Sequence, residues 1–76
     1  MQSKESEMKD KIIASGFSHI GIDLYSSSEK FDIYKNGNIY VNVARNTFCI
    51  SIGERTDNCF WFPSSSFDVI FNEVIK

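Results

Sequence analysis

The feature that most constrains this chain is one alternating run, Phe31-Asp-Ile-Tyr-Lys-Asn-Gly-Asn-Ile-Tyr-Val-Asn-Val43. Phe31 and Ile33 alternate with Asp32 and Tyr34, and Ile39, Val41 and Val43 alternate with Asn38, Tyr40 and Asn42. Period-two alternation marks strands with one apolar face, and the Asn36-Gly37 step between them is hairpin chemistry. A two-residue Asn36-Gly37 turn would pair Ile33 with Tyr40 and split the apolar residues between two faces, because a one-residue slip flips every side chain. A three-residue loop of Lys35, Asn36 and Gly37 instead pairs Ile33 with Ile39 and Phe31 with Val41. It also sets Gly37 at the left-handed position of a type I turn with a G1 bulge. The three-residue loop is therefore expected.

The next connection follows the same logic. A two-residue turn at Arg45-Asn46 pairs Val43 with Phe48, Val41 with Ile50 and Ile39 with Ile52, six apolar residues on one face. A polar turn from Gly53 to Asn58 leads to a last strand, Cys59-Phe-Trp-Phe62, with Phe60 and Phe62 turned inward and Trp61 and Cys59 outward. Upstream, His19 to Tyr25 reads as the first strand, with Ile20, Ile22 and Leu24 on its inner side. One hairpin register opposes Asp23 to Asp32, a like-charge pair. A tighter Ser26-Ser27 turn opposes Asp23 to Lys30 and is preferred on electrostatic grounds.

Helices flank the strands. Gln2 to Ser15 carries Glu5 and Glu7 in its first turn, an apolar stripe of Met8, Ile12 and Ile13, and Gly16 as a left-handed stop with Phe17 folding back. Phe67, Ile70, Phe71, Val74 and Ile75 form a second stripe at helical period, preceded by Ser65 and Asp68 as a shortened capping box. The expected fold class is α+β: a two-layer domain in which a five-stranded antiparallel meander carries an N-terminal and a C-terminal helix on one face. Residues 1-76 make a single small domain of this kind, near the lower size limit for a self-sufficient core.

Composition narrows the functional classes. A formal charge of −2 is too small to imply nucleic acid or a membrane surface, and no apolar run approaches the roughly 18 residues of a membrane span. The two cysteines lack CxxC spacing, and in the expected register they lie too far apart on the outer face to bond, so free thiols in a reducing cytoplasm are expected. Phe, Tyr, Met, Ile, Asn and Lys total 34 residues, against 9 for Gly, Ala, Arg and Pro. That bias reflects an AT-rich gene and, with the short length, suits a phage or mobile element in an AT-rich bacterial host.

No motif for catalysis, a metal or a cofactor is present: there is no Walker A, no GxGxxG and no metal-spaced Cys/His cluster. His19 reads as an exposed loop residue, and the chain is expected not to be an enzyme. The outer sheet face is less ordinary, because Tyr25, Tyr34, Tyr40 and Trp61 would stand on it beside Asn42. Strand propensity explains such residues, and so does a recognition surface, since Tyr and Trp dominate interface hot spots. The expected partner is a host protein or protein complex, with self-association as a variant. The concrete form is an inhibitor of a defence or regulatory complex.

The alternative is single-stranded nucleic acid stacking on the aromatic face, with Lys30, Lys35, Arg45 and Arg55 as phosphate contacts. The stretch Phe60-Trp-Phe-Pro-Ser-Ser-Ser-Phe-Asp68 resembles, over the C-terminal half alone, the single-strand-binding transcriptional coactivators of the positive-cofactor type. That resemblance implies use of the sheet face for nucleic acid. The leading helix and the weak basic charge depart from that family.

Overall fold

The structure, a computed structural model, describes residues 4–24, 28–53 and 60–75. The elements run in the order α1 (Lys4–Ala14), β1 (Ser18–Leu24), β2 (Lys30–Asn36), β3 (Ile39–Val43), β4 (Thr47–Ile52), β5 (Phe62–Pro63), a 3-10 turn (Ser64–Ser66) and α2 (Phe67–Ile75). The strands form one antiparallel sheet in sequence order. Both helices lie on one side of it, as the complementary apolar stripes require.

The helix termini follow local chemistry. Gly16 adopts φ +95°, the Gly16 amide donates to the Ile13 carbonyl and the Phe17 amide to the Ile12 carbonyl. This is a Schellman stop, and it turns Phe17 into the core as its hydrophobic contact. Met8 and Ile12 are the buried pair of α1, and Phe67 and Phe71 those of α2. Phe67 lies edge-on to Phe48 with centroids 5.0 Å apart, while Phe71 meets Phe17 at 5.6 Å. The helices join each other through an ion pair between Lys11 and Asp68.

The β3–β4 register is the expected one, with Val43 opposite Phe48, Val41 opposite Ile50 and Ile39 opposite Ile52. The β2–β3 register is not. Asn36 pairs with Ile39, Tyr34 with Val41 and Ile33 with Asn42, so the loop is the two-residue Gly37-Asn38. Gly37 has φ +61° and Asn38 stays out of positive φ, the combination of a type II′ turn, whose twist matches the flanking strands. The loop is thus one residue shorter and shifted along the chain. It reverses β2, so that Tyr34 packs under the helices while Phe31 and Ile33 face the other way.

That reversal gives the sheet two apolar faces. Tyr34, Val41, Val43 and Phe48 join Met8, Ile12, Phe17, Phe67 and Phe71 in the helix-side core. Phe31, Ile33 and Ala44 form a second buried cluster, with Trp61 packed edge-on against Phe31 at 5.3 Å. The expected inward set is corrected accordingly: Phe31 and Ile33 belong to the far face, and Ile20, Ile22, Leu24, Ile52 and Phe60 are exposed. Among the described residues of the expected last strand, pairing is limited to Phe62, which with Pro63 meets Phe48 and Thr47.

Cys49 is buried on the far face and is disulfide-bonded, which corrects the expectation of free thiols. The reversed β2 does not itself place a bond. The chain has one other cysteine, Cys59, and it lies outside the described residues, as does most of the polar turn after Gly53.

Candidate functional site

β1 builds the most distinctive surface. It lies at one end of the strand order, so among the described residues one long edge carries backbone groups with no neighbouring strand. Its pairing with β2 begins as Ser18 to Lys35 and His19 to Tyr34, slips at Ile20, and continues as Gly21 to Ile33, Ile22 to Asp32, Asp23 to Phe31 and Leu24 to Lys30. Ile20 is thus the extra residue of a β-bulge. Neither expected hairpin register occurs throughout: Asp23 meets Phe31 rather than Asp32 or Lys30, which avoids the like-charge pair by a different route. The connecting residues 25–27 lie outside the described set.

The apolar residues of this strand are uncovered. Ile20, Ile22 and Leu24 are 51 %, 59 % and 65 % exposed, although alternation predicts them in the core. α1 packs against β3 and reaches β2 through a polar cluster. Lys9 bridges Glu5 on its own helix at 3.2 Å and Asp32 at 2.5 Å, and a ring nitrogen of His19 hydrogen-bonds Asp32 at 3.1 Å. His19 also lies edge-on to Tyr34 at 5.2 Å. His19 is thus an exposed residue of the first strand held by Asp32, and its spacing from Asp32 in sequence gave no sign of that contact.

The electrostatics of the cluster follow from its geometry. Burial opposes the charge on Asp32, but the hydrogen bonds from Lys9 and His19 outweigh it and hold the carboxyl below its ordinary value. Burial likewise pulls Lys9 down, and its hydrogen bonds to Asp32 and Glu5 more than reverse this. Burial pushes the Tyr34 hydroxyl up, assisted by the Asp32 carboxylate.

Of the residues expected to form a recognition face, Tyr40, Asn42 and Trp61 share the far face, and Tyr34 does not. Tyr34 is 5 % exposed and sits under the helices. Asn42 is fully buried on the far face, its amide donating to the Cys49 sulfur at 3.2 Å. Tyr40 is half-buried beneath the Lys35 ammonium, 5.4 Å from the ring centre. Trp61 is half-buried against Phe31, and Tyr25 lies outside the described residues. Of the four basic candidates, Lys30 and Arg45 are at one end of the sheet, Lys35 is at the other, and Arg55 lies outside the described residues. Among the described residues, the register gathers no aromatic strip lined by cations.

Other features are modest. A cleft between α1 and the start of α2, bordered by Lys4, Lys11, Ser64 and Asp68, holds about 20 Å³, room for a water molecule. Among the described residues, no group of three or more His, Cys, Asp or Glu is placed to hold a metal ion, and no helix is long and apolar enough to cross a membrane. No family model, curated protein or solved structure matches the chain.

Proposed function

We propose that this chain is a non-enzymatic protein-binding module that works through the open edge of β1. The observation behind this reading is the set of three aliphatic side chains, Ile20, Ile22 and Leu24, more than half exposed on a strand with a free hydrogen-bonding edge. Folding alone does not ask for them there. Strand addition uses such an edge directly, with main-chain hydrogen bonds supplying affinity and alternate side chains supplying selectivity. The Lys9–Asp32–His19 cluster supplies a polar border beside the apolar strip, the arrangement of a recognition patch with a wet rim.

The biological setting we propose is a phage or mobile element in an AT-rich bacterial host, with the module inhibiting a host defence or regulatory complex. Codon-linked composition supports that setting. The test is affinity capture from host lysate with the parent and with Ile22→Lys side by side. Proteins retained by the parent and lost from the variant support the reading. Identical sets from both would remove the β1 edge as the binding surface.

A further inference from the structure

We infer that the Cys49 disulfide completes the far face of the sheet, so that the chain reaches its working form only under oxidising conditions. The inference is independent of the β1 edge. It adds a compartment, one that preserves disulfides: a cell surface, a periplasm or the extracellular medium. It rests on where the bonded cysteine sits. Ile33, Asn42 and Cys49 lie side by side across β2, β3 and β4, forming one row of the far face. All three are buried, Cys49 completely, although both helices pack on the other side of the sheet.

The far face is poor in the contacts that hold a core together. The helix-side cluster has nine buried residues, whereas the far-side cluster has three, Phe31, Ile33 and Ala44. Asn42 and Ser51, the two buried polar side chains among the described residues, also both lie on the far face. Taking an amide and a hydroxyl out of water opposes folding on that side. Apolar contact therefore holds this face weakly, and the covalent bond in its middle row supplies the difference. Cys49 is bonded in a chain whose one other cysteine, Cys59, comes ten positions later. Closing so short a loop stabilises the fold by removing open conformations from the unfolded chain.

The surroundings of Cys49 also restrict how the bond opens. Its sulfur is shielded from solvent, so an incoming thiolate cannot reach it and Cys49 is the leaving group of the exchange. The Asn42 amide donates to that sulfur at 3.2 Å, a contact that strengthens as negative charge gathers there. With a dithiol reductant, one reagent thiolate forms a mixed disulfide with the partner sulfur, and the bonding pair leaves on Cys49. The second reagent thiol then displaces the partner sulfur as the reagent closes to a cyclic disulfide. Two electrons and two protons pass from reagent to protein, and Cys49 is left as a buried thiol without a tether.

The test is reduction of the full chain with dithiothreitol, with thiols counted by alkylation in denaturant and intact mass. The chain folded in air should give no adduct before reduction and two after it, one for each cysteine. On reduction the methyl resonances of Ile33 and Ala44 should lose their dispersion, while those of Val41 and Val43 keep it. The melting temperature should fall by roughly 10 °C or more. Cys49→Ala should match the reduced parent and melt alike with and without reductant; if that variant does not fold, the reduced parent decides alone. Complete reduction with unchanged Ile33 and Ala44 resonances and an unchanged melting temperature overturns the inference, as do two adducts before reduction. Equal loss of dispersion at all four residues overturns the confinement of the effect to the far face. The compartment has its own arm. When the chain is made in bacteria with and without an added export signal and alkylated before lysis, only the exported form should lack adducts. An adduct-free cytosolic chain overturns the need for an oxidising compartment.

Discussion

Tyr34 stands directly opposite Val41 on the helix side of the sheet, with the His19 ring on its other flank. The pairing makes Tyr34 a core residue while Tyr40, one position before Val41, lies on the other face. Tyr34→Ala should therefore cost about 3 kcal/mol or more, in the range of truncated core aromatics. Tyr40→Ala should cost no more than about 1 kcal/mol, the scale of an exposed cation–π contact. Urea denaturation of the two variants checks this, and equal losses would contradict the register.

Gly37 carries the turn that sets that register. Its φ of +61° is open to glycine, and nothing lies within 4 Å of a Cβ placed there. Gly37→Val should then destabilise by on the order of 1 kcal/mol or more through backbone strain alone. Gly37→Asn should recover part of that loss, since Asn tolerates positive φ better. Thermal melts of both variants distinguish strain from crowding, because crowding would penalise the two alike.

Asp32 ties pH to stability. Its folded-state pKa lies below the unfolded value, so its contribution is present above the ordinary aspartate range and is lost as pH falls through the folded value. Asp32→Asn should lower stability at pH 7 by on the order of 1–2 kcal/mol, given hydrogen bonds from two partners and a partly screened setting. The gap between parent and variant should narrow below about pH 4. A constant gap from pH 7 to pH 2 would mean that the carboxylate charge is not what Lys9 and His19 hold.

At the alkaline end the signs reverse. Tyr34 and Lys9 both have raised folded-state pKa values, so their contributions are present below the unfolded values and lost as pH rises through the folded ones. Phenolate absorbance should show Tyr34 titrating later than an unperturbed tyrosine, and Tyr34→Phe should remove that late step.

α2 is integral to the core through Phe67 and Phe71. Truncation after Ser66 uncovers Phe48 and Phe17, and the product should be insoluble or molten. Phe71→Ala is the milder form, with an expected loss of about 3–5 kcal/mol. A truncated chain with a dispersed NMR spectrum would contradict the two-layer arrangement.

Much of the architecture was legible because its signals are local. Alternation located β2, β3 and β4, helical spacing located α2, and Gly16 with Phe17 announced the end of α1. The facing of β2 was not legible, because Gly37 serves either hairpin loop. The choice rests on distant partners, His19 beside Tyr34 and Trp61 beside Phe31. For the same reason the aromatic recognition face could not be judged from spacing. β1 shows a different limit: alternation tells which residues share a side, but not whether any helix reaches far enough to cover it. The bulge at Ile20 and the Asp32 cluster have no sequence signature, since each depends on the observed pairing.

Trp61 is the chain's single tryptophan, and it rests against Phe31 on the face away from the helices. Its fluorescence is therefore a local reporter, sensing the far-side cluster and blind to the helix layer. Far-ultraviolet circular dichroism reads α1 and α2 instead. If the two optical transitions coincide in denaturant, the layers melt as one cooperative unit. If emission shifts first, the chain passes through a form whose helices still grip the sheet while its opposite face has already let in water.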